Sequence, residues 1–327
     1  MITTPKVSVI IPTFNRANYI TQCIDSVFNQ TFQDFEIIVT DDGSTDDTKE
    51  VLKPYFDKIK YIYKENGGCA SARNCGINNS AGEYLTFLDS DDLFEIRKLE
   101  TQVPILEENI DVGFVYSDSL MFFEDSDLKE RLVHAMRIKD HGINFAKQFF
   151  PYPKLYMPTT LIRKRCIESV GQFDEELRHN EDTDLLIRIA LNWEVKFSEY
   201  PSAKIRHHPG RKSLDRIEIY RCLIKSATKI LNCYPDFRDK LGEEANIKIA
   251  DLHNRLAHEY LANDRYKEAR REFYSYLKTI QSFKFNAYFY VFIISLGSSL
   301  TKISLKVIRV FKNIMKEVYR DKLRRAD

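Results

Sequence analysis

Short apolar runs alternate along this chain with stretches whose apolar residues recur every third or fourth position. The first run, Lys6–Ile11 (KVSVII), is β-branched and closed by Pro12, which predicts a strand. Tyr19, Ile20, Cys23, Ile24, Val27 and Phe28 then fall on one helical face. A second strand, Phe35–Thr40, ends in Asp41-Asp42-Gly43-Ser44, and an amphipathic segment covers Lys49–Phe56. A third run, Ile59–Tyr63, leads through Glu65-Asn66-Gly67-Gly68 into a helix over Ala70–Asn79. Tyr84–Leu88 is a buried strand that runs directly into Asp89, Ser90, Asp91 and Asp92. Strand and helix thus alternate about every 30 residues, the sequence form of a right-handed parallel α/β sheet. Ligands bind beyond the carboxyl ends of such strands. Pro12-Thr13, Asp41-Asp42, Asn66-Gly67-Gly68 and the Asp89–Asp92 cluster are therefore expected along one crevice.

Carboxylates packed this closely repel one another and resist desolvation unless a cation or strong donors compensate. A hard divalent ion such as Mg²⁺ or Mn²⁺ suits oxygen ligands, and a diphosphate could complete its shell. The plainer alternative is an acidic turn in which Asp91 or Asp92 caps a helix starting at Leu93.

The segments VSVIIPTFNR, EIIVTDDGSTDDT and NGGCASARNCGINNSAGEYLTFLDSDD, in that order, resemble the family 2 glycosyltransferases of GT-A fold. MPTTLIRKRCIESVGQFDEEL and NEDTDLLIRIA resemble the family's second half, so the likeness runs from residue 5 to residue 215 or so. It implies that Pro12, Thr13 and Phe14 line a nucleotide pocket, that Asp42 accepts the imide N–H of a pyrimidine, and that Arg73 lies near the nucleotide. It further implies that Asp89 contacts the ribose, with Ser90 beside it, and that Asp91 ligates the metal, Asp92 being the alternative. Asp182 falls on the family's catalytic base, where a carboxylate could take the proton of an acceptor hydroxyl. The rival role for Asp182 is to favour the start of a helix through Leu186, Ile189 and Ala190. In Arg206-His207-His208-Pro209-Gly210, after a strand Ala203–Ile205, His208 or else His207 would complete the metal or diphosphate site. The processive members' Gln-x-x-Arg-Trp motif is absent, and the only tryptophan, Trp193, is expected inside a helix.

The resemblance thus implies an inverting transfer, with Mn²⁺ or Mg²⁺, from a nucleotide-diphosphate sugar, a UDP-sugar, to a hydroxyl of a glycan or lipid-linked acceptor. Such hexosyl or N-acetylhexosaminyl transfer serves cell-surface polysaccharide or glycoconjugate synthesis. Two other classes remain open, a sugar nucleotidyltransferase and a non-catalytic sugar-binding or scaffold module. The first would carry Gly-x-Gly-Thr-Arg after strand one, where this chain has Pro-Thr-Phe-Asn-Arg.

Composition sets limits without changing this picture. The 327 residues are 43% hydrophobic and 30% charged, enough for one large core and an appendage. A net charge of +1 gives no nucleic-acid signal. Six cysteines lack zinc spacing, and the chain enters its first strand at once, so a cytoplasmic protein with reduced thiols and no signal peptide is expected. The domain boundary is placed at 213/214. Beyond it, Ala257–Tyr260 and Tyr266–Phe273 resemble one tetratricopeptide-type hairpin turning at Asn263-Asp264-Arg265. Phe285–Thr301 has no charged residue, and 302–327 carries nine Lys/Arg against three Asp/Glu. This tail fits peripheral attachment to an anionic membrane, or equally a helical bundle or homodimer contact.

Overall fold

The computed structural model describes residues 4–123, 130–138, 142–151, 153–208 and 215–280. The chain divides into two compact units, Met1–Leu214 with Lys225–Leu241, and Asp215–Ile224 with Gly242–Asp327.

The first unit begins with β1 (Val7–Thr13), α1 (Ile20–Phe28), β2 (Phe35–Asp41), α2 (Thr48–Leu52), β3 (Lys60–Tyr63), α3 (Cys69–Asn78) and β4 (Tyr84–Phe87). These give a parallel block in the order β3-β2-β1-β4. Every residue of β1 and β4 is buried, and α1 lays Ile20, Cys23, Ile24 and Val27 on the core at 0% exposure. Each such aliphatic side chain contributes about 1.5–3 kcal/mol of transfer free energy. Gly76 lets α3 approach β1, for a Cβ there would lie 2.4 Å from Ile10 Cγ2.

Pro12 does not close β1; the strand continues through it, with Pro12 opposite Thr40 and Thr13 opposite Asp41. The carbonyls of Lys6 and Ile10 accept from Tyr84 and Leu88 of the β4 side, whereas Thr13 O accepts from Asp42 N. Even-numbered residues therefore face β4, and Pro12 presents its missing N–H past the last β1–β4 pair, Ile10 with Phe87.

The sheet continues with β5 (Leu93–Phe94), α4 (Lys98–Glu108), β6 (Val112–Phe123), β7 (Arg131–Val133), α5 (Gly142–Phe149), β8 (Leu161–Arg163), α6 (Lys164–Val170), α7 (Glu181–Ala190) and β9 (Glu194–His207). Its order runs on as β4-β8-β6-β9-β5, with β8 antiparallel to both neighbours and β7 on β6. Leu93 opens a strand paired with Lys204 of β9, not a helix, so the capping explanation of the acidic cluster fails. Trp193 lies in the turn after α7 rather than inside a helix. The strand expected at Ala203–Ile205 is the end of β9.

Helices α8 (Arg216–Cys233), α9 (Pro235–Leu241), α10 (Glu243–Ala262) and α11 (Tyr266–Ile280) complete the described chain. In the second unit Leu256, Ala257, Tyr260, Ala269 and Phe273 form a small core, packed by Ile217, Tyr220 and Ile224. Among the described residues no helix is long and apolar enough to cross a membrane. Pro209, Gly210 and the tail segments 285–301 and 302–327 lie outside the described residues.

Candidate active site

The strand ends of the first unit open into a cleft of about 660 Å³. Its walls include Pro12, Thr13, Phe14, Asp42, Arg73, Asp89, Ser90, Asp91 and Asp182.

On one side, Asp42 follows β2 and is buried. Its Oδ1 accepts from Lys64 Nζ at 2.7 Å and Gly67 N at 2.9 Å, and its Oδ2 from Gly68 N at 2.7 Å. Gly68 has a φ of 91°, which a side chain would resist, so the glycine lets this loop fold onto the carboxylate. Thr13 Oγ1 is buried without a hydrogen-bond partner among the described residues, while Phe14 stands 36% exposed at the rim.

The acidic cluster splits by direction. Asp89 Oδ1 accepts from Arg73 Nη2 at 2.8 Å. Asp91 Oδ2 lies 3.3 Å from Arg16 Nε and 3.2 Å from His208 Nε2. Tyr19 OH stands 3.4 Å from His208 Nδ1, so each ring nitrogen of His208 has a polar neighbour. Asp92 turns away from the cleft, and its Oδ1 accepts from Arg206 N at 2.8 Å. Arg206 clamps this turn further, giving Nε to Asp91 O at 2.8 Å and Nη2 to Gln22 Oε1 at 2.7 Å, between the rings of Tyr19 and Phe122. His207 is exposed and packs at a tilt against the Phe123 ring, so His208 is the histidine that reaches Asp91. Beneath lies Cys23, whose thiol burial and the carboxylates of Asp92, Asp91 and Asp89 push well up, which leaves it inert as a nucleophile.

The opposite side is the start of α7. Asn180 precedes it with a φ of 67°, and no side chain caps the helix. Glu181 Oε1 accepts from Arg73 Nη1 at 2.7 Å, so the buried guanidinium ties α7 to the end of β4. Burial pushes the Glu181 carboxyl up, Arg73 pulls it down, and the charge of Asp182 adds to the rise. Burial wins, because Glu181 is 8% exposed. Asp182 Oδ1 accepts from Thr183 N at 2.6 Å, and the carboxylate has no other hydrogen-bond partner among the described residues.

Over 238 residues the sequence is 36% identical to an uncharacterized glycosyltransferase of Rickettsia prowazekii (strain Madrid E), covering 69% of this chain and 73% of that one. The chain is a family 2 glycosyltransferase. The model of the family Glycosyl transferase family 2 matches residues 8–170, short of Asp182 and His208. The fold is similar to TarS 1-349 of S. aureus in complex with UDP-GlcNAc, with a TM-score of 0.61, 22% identity, and 84% of this chain and 81% of that one covered. It is also similar to the mannosyltransferase PcManGT from Pyrobaculum calidifontis in complex with GDP-Man and Mn²⁺, with a TM-score of 0.54, 15% identity, and 92% and 87% covered. GT-A architecture and glycosyltransferase class therefore replace the nucleotidyltransferase and binding-module readings.

Among the described residues of this glycosyltransferase no three His, Cys, Asp or Glu side chains form a metal cage. Asp91 and His208 supply one carboxylate and one imidazole, a donor set that fits a divalent ion whose other ligands come from a diphosphate. Sequence reasoning missed Arg16, Glu181 and Arg206. Arg16 directly follows the quoted Pro-Thr-Phe-Asn, and Glu181 adjoins Asp182, but nothing in sequence ties Arg206 to an acidic turn more than a hundred residues earlier.

Proposed function

We propose that this glycosyltransferase transfers a sugar from a UDP-sugar to an acceptor hydroxyl, with inversion and with Mn²⁺ or Mg²⁺ as cofactor. The observation that carries the reading is the facing of two acid groups across one cleft, Asp91 with His208 on the β4 side and Asp182 at the start of α7. The TarS complex with UDP-GlcNAc and the PcManGT complex with GDP-Man and Mn²⁺ support such a donor and such an ion.

Asp42 reads the uracil imide, since a carboxylate has about four lone-pair sites and three are engaged. Phe14 walls the base, and the unpartnered Thr13 hydroxyl adds a polar contact beside it. Arg73 holds Asp89 toward the ribose and Glu181 beneath the base Asp182. Asp91 and His208 hold the cation, Asp92 serving the turn instead. When bound, the cation offsets negative charge on the leaving diphosphate. Asp182 takes the acceptor's proton as that oxygen bonds to the anomeric carbon and the carbon–diphosphate bond breaks. One displacement inverts the centre. The acceptor is a glycan or lipid-linked sugar, and the basic tail brings the enzyme to the inner face of the membrane.

Calorimetry of UDP binding with and without Mn²⁺ tests the metal assignment. Asp91→Ala should keep the fold and lose the gain in affinity from Mn²⁺. Full transfer by the wild type in excess chelator would contradict it.

A further inference from the structure

The stretch 171–180 carries the chain from α6 into α7, and its polar groups are tied down along most of its length. Arg188 donates to the carbonyls of Val170, Gly171 and Gln172, each at 2.8 Å. Asn74 holds Phe173 by both backbone groups, at 3.0 Å each. Asp174 pairs with Lys229 at 2.5 Å, and Leu177 is 1% exposed. At the far end Asn180 donates to Ser226 Oγ at 3.2 Å and turns the chain with its left-handed φ. Between these two anchors stand Arg178 and His179.

Both line the cleft, and neither has a hydrogen-bond, ion-pair or ring partner among the described residues. The other cleft arginines are engaged, Arg16 by Asp91 and Arg73 by Asp89 and Glu181. Arg178 is thus the one unpaired guanidinium in the cleft among the described residues, four positions before Asp182. A solitary exposed arginine on a loose loop would carry no meaning. Here the backbone is held at both ends, so little ordering is needed before the side chain meets a ligand.

We propose that Arg178, with His179 beside it, binds an anionic group of the acceptor, so that the sugar is added to a hydroxyl of a phosphorylated or carboxylated molecule. The inference rests on the transfer reaction proposed above with Asp182 as base. A guanidinium fork matches the paired oxygens of phosphate and carboxylate alike. Because Arg178 stays open to water, its preference for a charged acceptor over a neutral one amounts to roughly tenfold, the weak end of a charged hydrogen bond.

The test uses the full chain loaded with UDP and Mn²⁺. Calorimetry compares binding of matched pairs, glycerol against glycerol phosphate and glucose against glucose 6-phosphate or glucuronic acid. Release of UDP from UDP-GlcNAc is measured with the same compounds. The charged members should bind about tenfold tighter, the phosphate and uronate arms showing which anion is preferred. Arg178→Gln should erase the difference, Arg178→Lys should restore part of it, and UDP affinity should stay within about twofold. Equal binding of charged and neutral members overturns the inference. A loss of UDP affinity in Arg178→Gln as large as the loss of selectivity also overturns it, by assigning the arginine to the donor diphosphate. Charge-selective binding that depends on Arg178, without transfer to any compound, leaves this inference standing and counts against the transfer reaction instead.

Discussion

Replacing Arg73 by methionine strikes the ion-pair chain that joins the two sides of the cleft. Arg73 is 4% exposed, and it bonds Glu181 at 2.7 Å and Asp89 at 2.8 Å. Methionine keeps an apolar stem over the Phe173 ring but strands the Glu181 carboxylate. Breaking a buried pair from one side costs about 3–5 kcal/mol. Asp89 adds little, because its side chain is 35% exposed and water takes over from the guanidinium. Glu181 has another recourse, since burial already holds its carboxyl above the ordinary range and Arg73 is the group that pulls it down. Without Arg73 the folded value rises further. Between the unfolded and folded values the folded state then carries the extra proton, so stability falls as pH rises. The wild type carries this proton too, because its Glu181 is already raised to about 7. The variant's extra penalty therefore starts only above that pH and grows by about 1.4 kcal/mol per pH unit until it meets the direct cost of burying the charge. Protonation caps the loss well below that direct cost, and the variant should be about 1.4 kcal/mol less stable relative to wild type near pH 8 than near pH 5.5, where Glu181 is protonated in both. The single tryptophan, Trp193, belongs to the same unit, so urea unfolding followed by its fluorescence reads the loss. Adding Glu181→Gln should recover much of the stability at the higher pH. A loss below about 1 kcal/mol, or one of equal size at both pH values, would refute the reasoning.

Asp182→Asn should lower the transfer rate by about 10²–10⁴-fold while UDP affinity and melting temperature hold, and near-normal transfer would remove the base assignment. Asp42→Asn should weaken UDP binding by about 1.5–3 kcal/mol, and lower the melting temperature as the Gly67-Gly68 loop loosens; unchanged calorimetric affinity would end the imide role. Deleting residues 285–327 should release the protein from anionic vesicles, an attachment that high salt also weakens. Indifference of the full chain to such vesicles at low salt would favour the bundle or dimer contact.

The sequence alone was enough for the parallel block, because each of its strands is a short apolar run and each connection is a helix with local periodicity. Ile20, Cys23, Ile24 and Val27 announce their buried face within one segment, and Asp42, Asp89 and Asp91 advertise themselves by following strands. Where the local pattern was thin, it misled. Pro12 looked like a stop because its missing donor matters only if a neighbouring strand is there to use it, and β4 ends too early to do so. Leu93–Phe94 is too short to read as a strand, and only its pairing with Lys204 and Ala203 makes it one.

The residue types needed for the chemistry were therefore set by the sequence, while their partners were not. Asp91 and Asp92 are adjacent and chemically identical, yet one borders the cleft beside His208 and the other accepts the Arg206 amide. A turn closed by Asp92 N on Asp89 O sends the two side chains different ways, but which side becomes the cleft depends on where β9 lies. The same holds for Arg73, whose place on α3 says nothing of Glu181 more than a hundred residues away. Local physics chooses elements and donor groups from neighbours in the chain; pairing between distant charges is decided only when the sheet order brings their elements together.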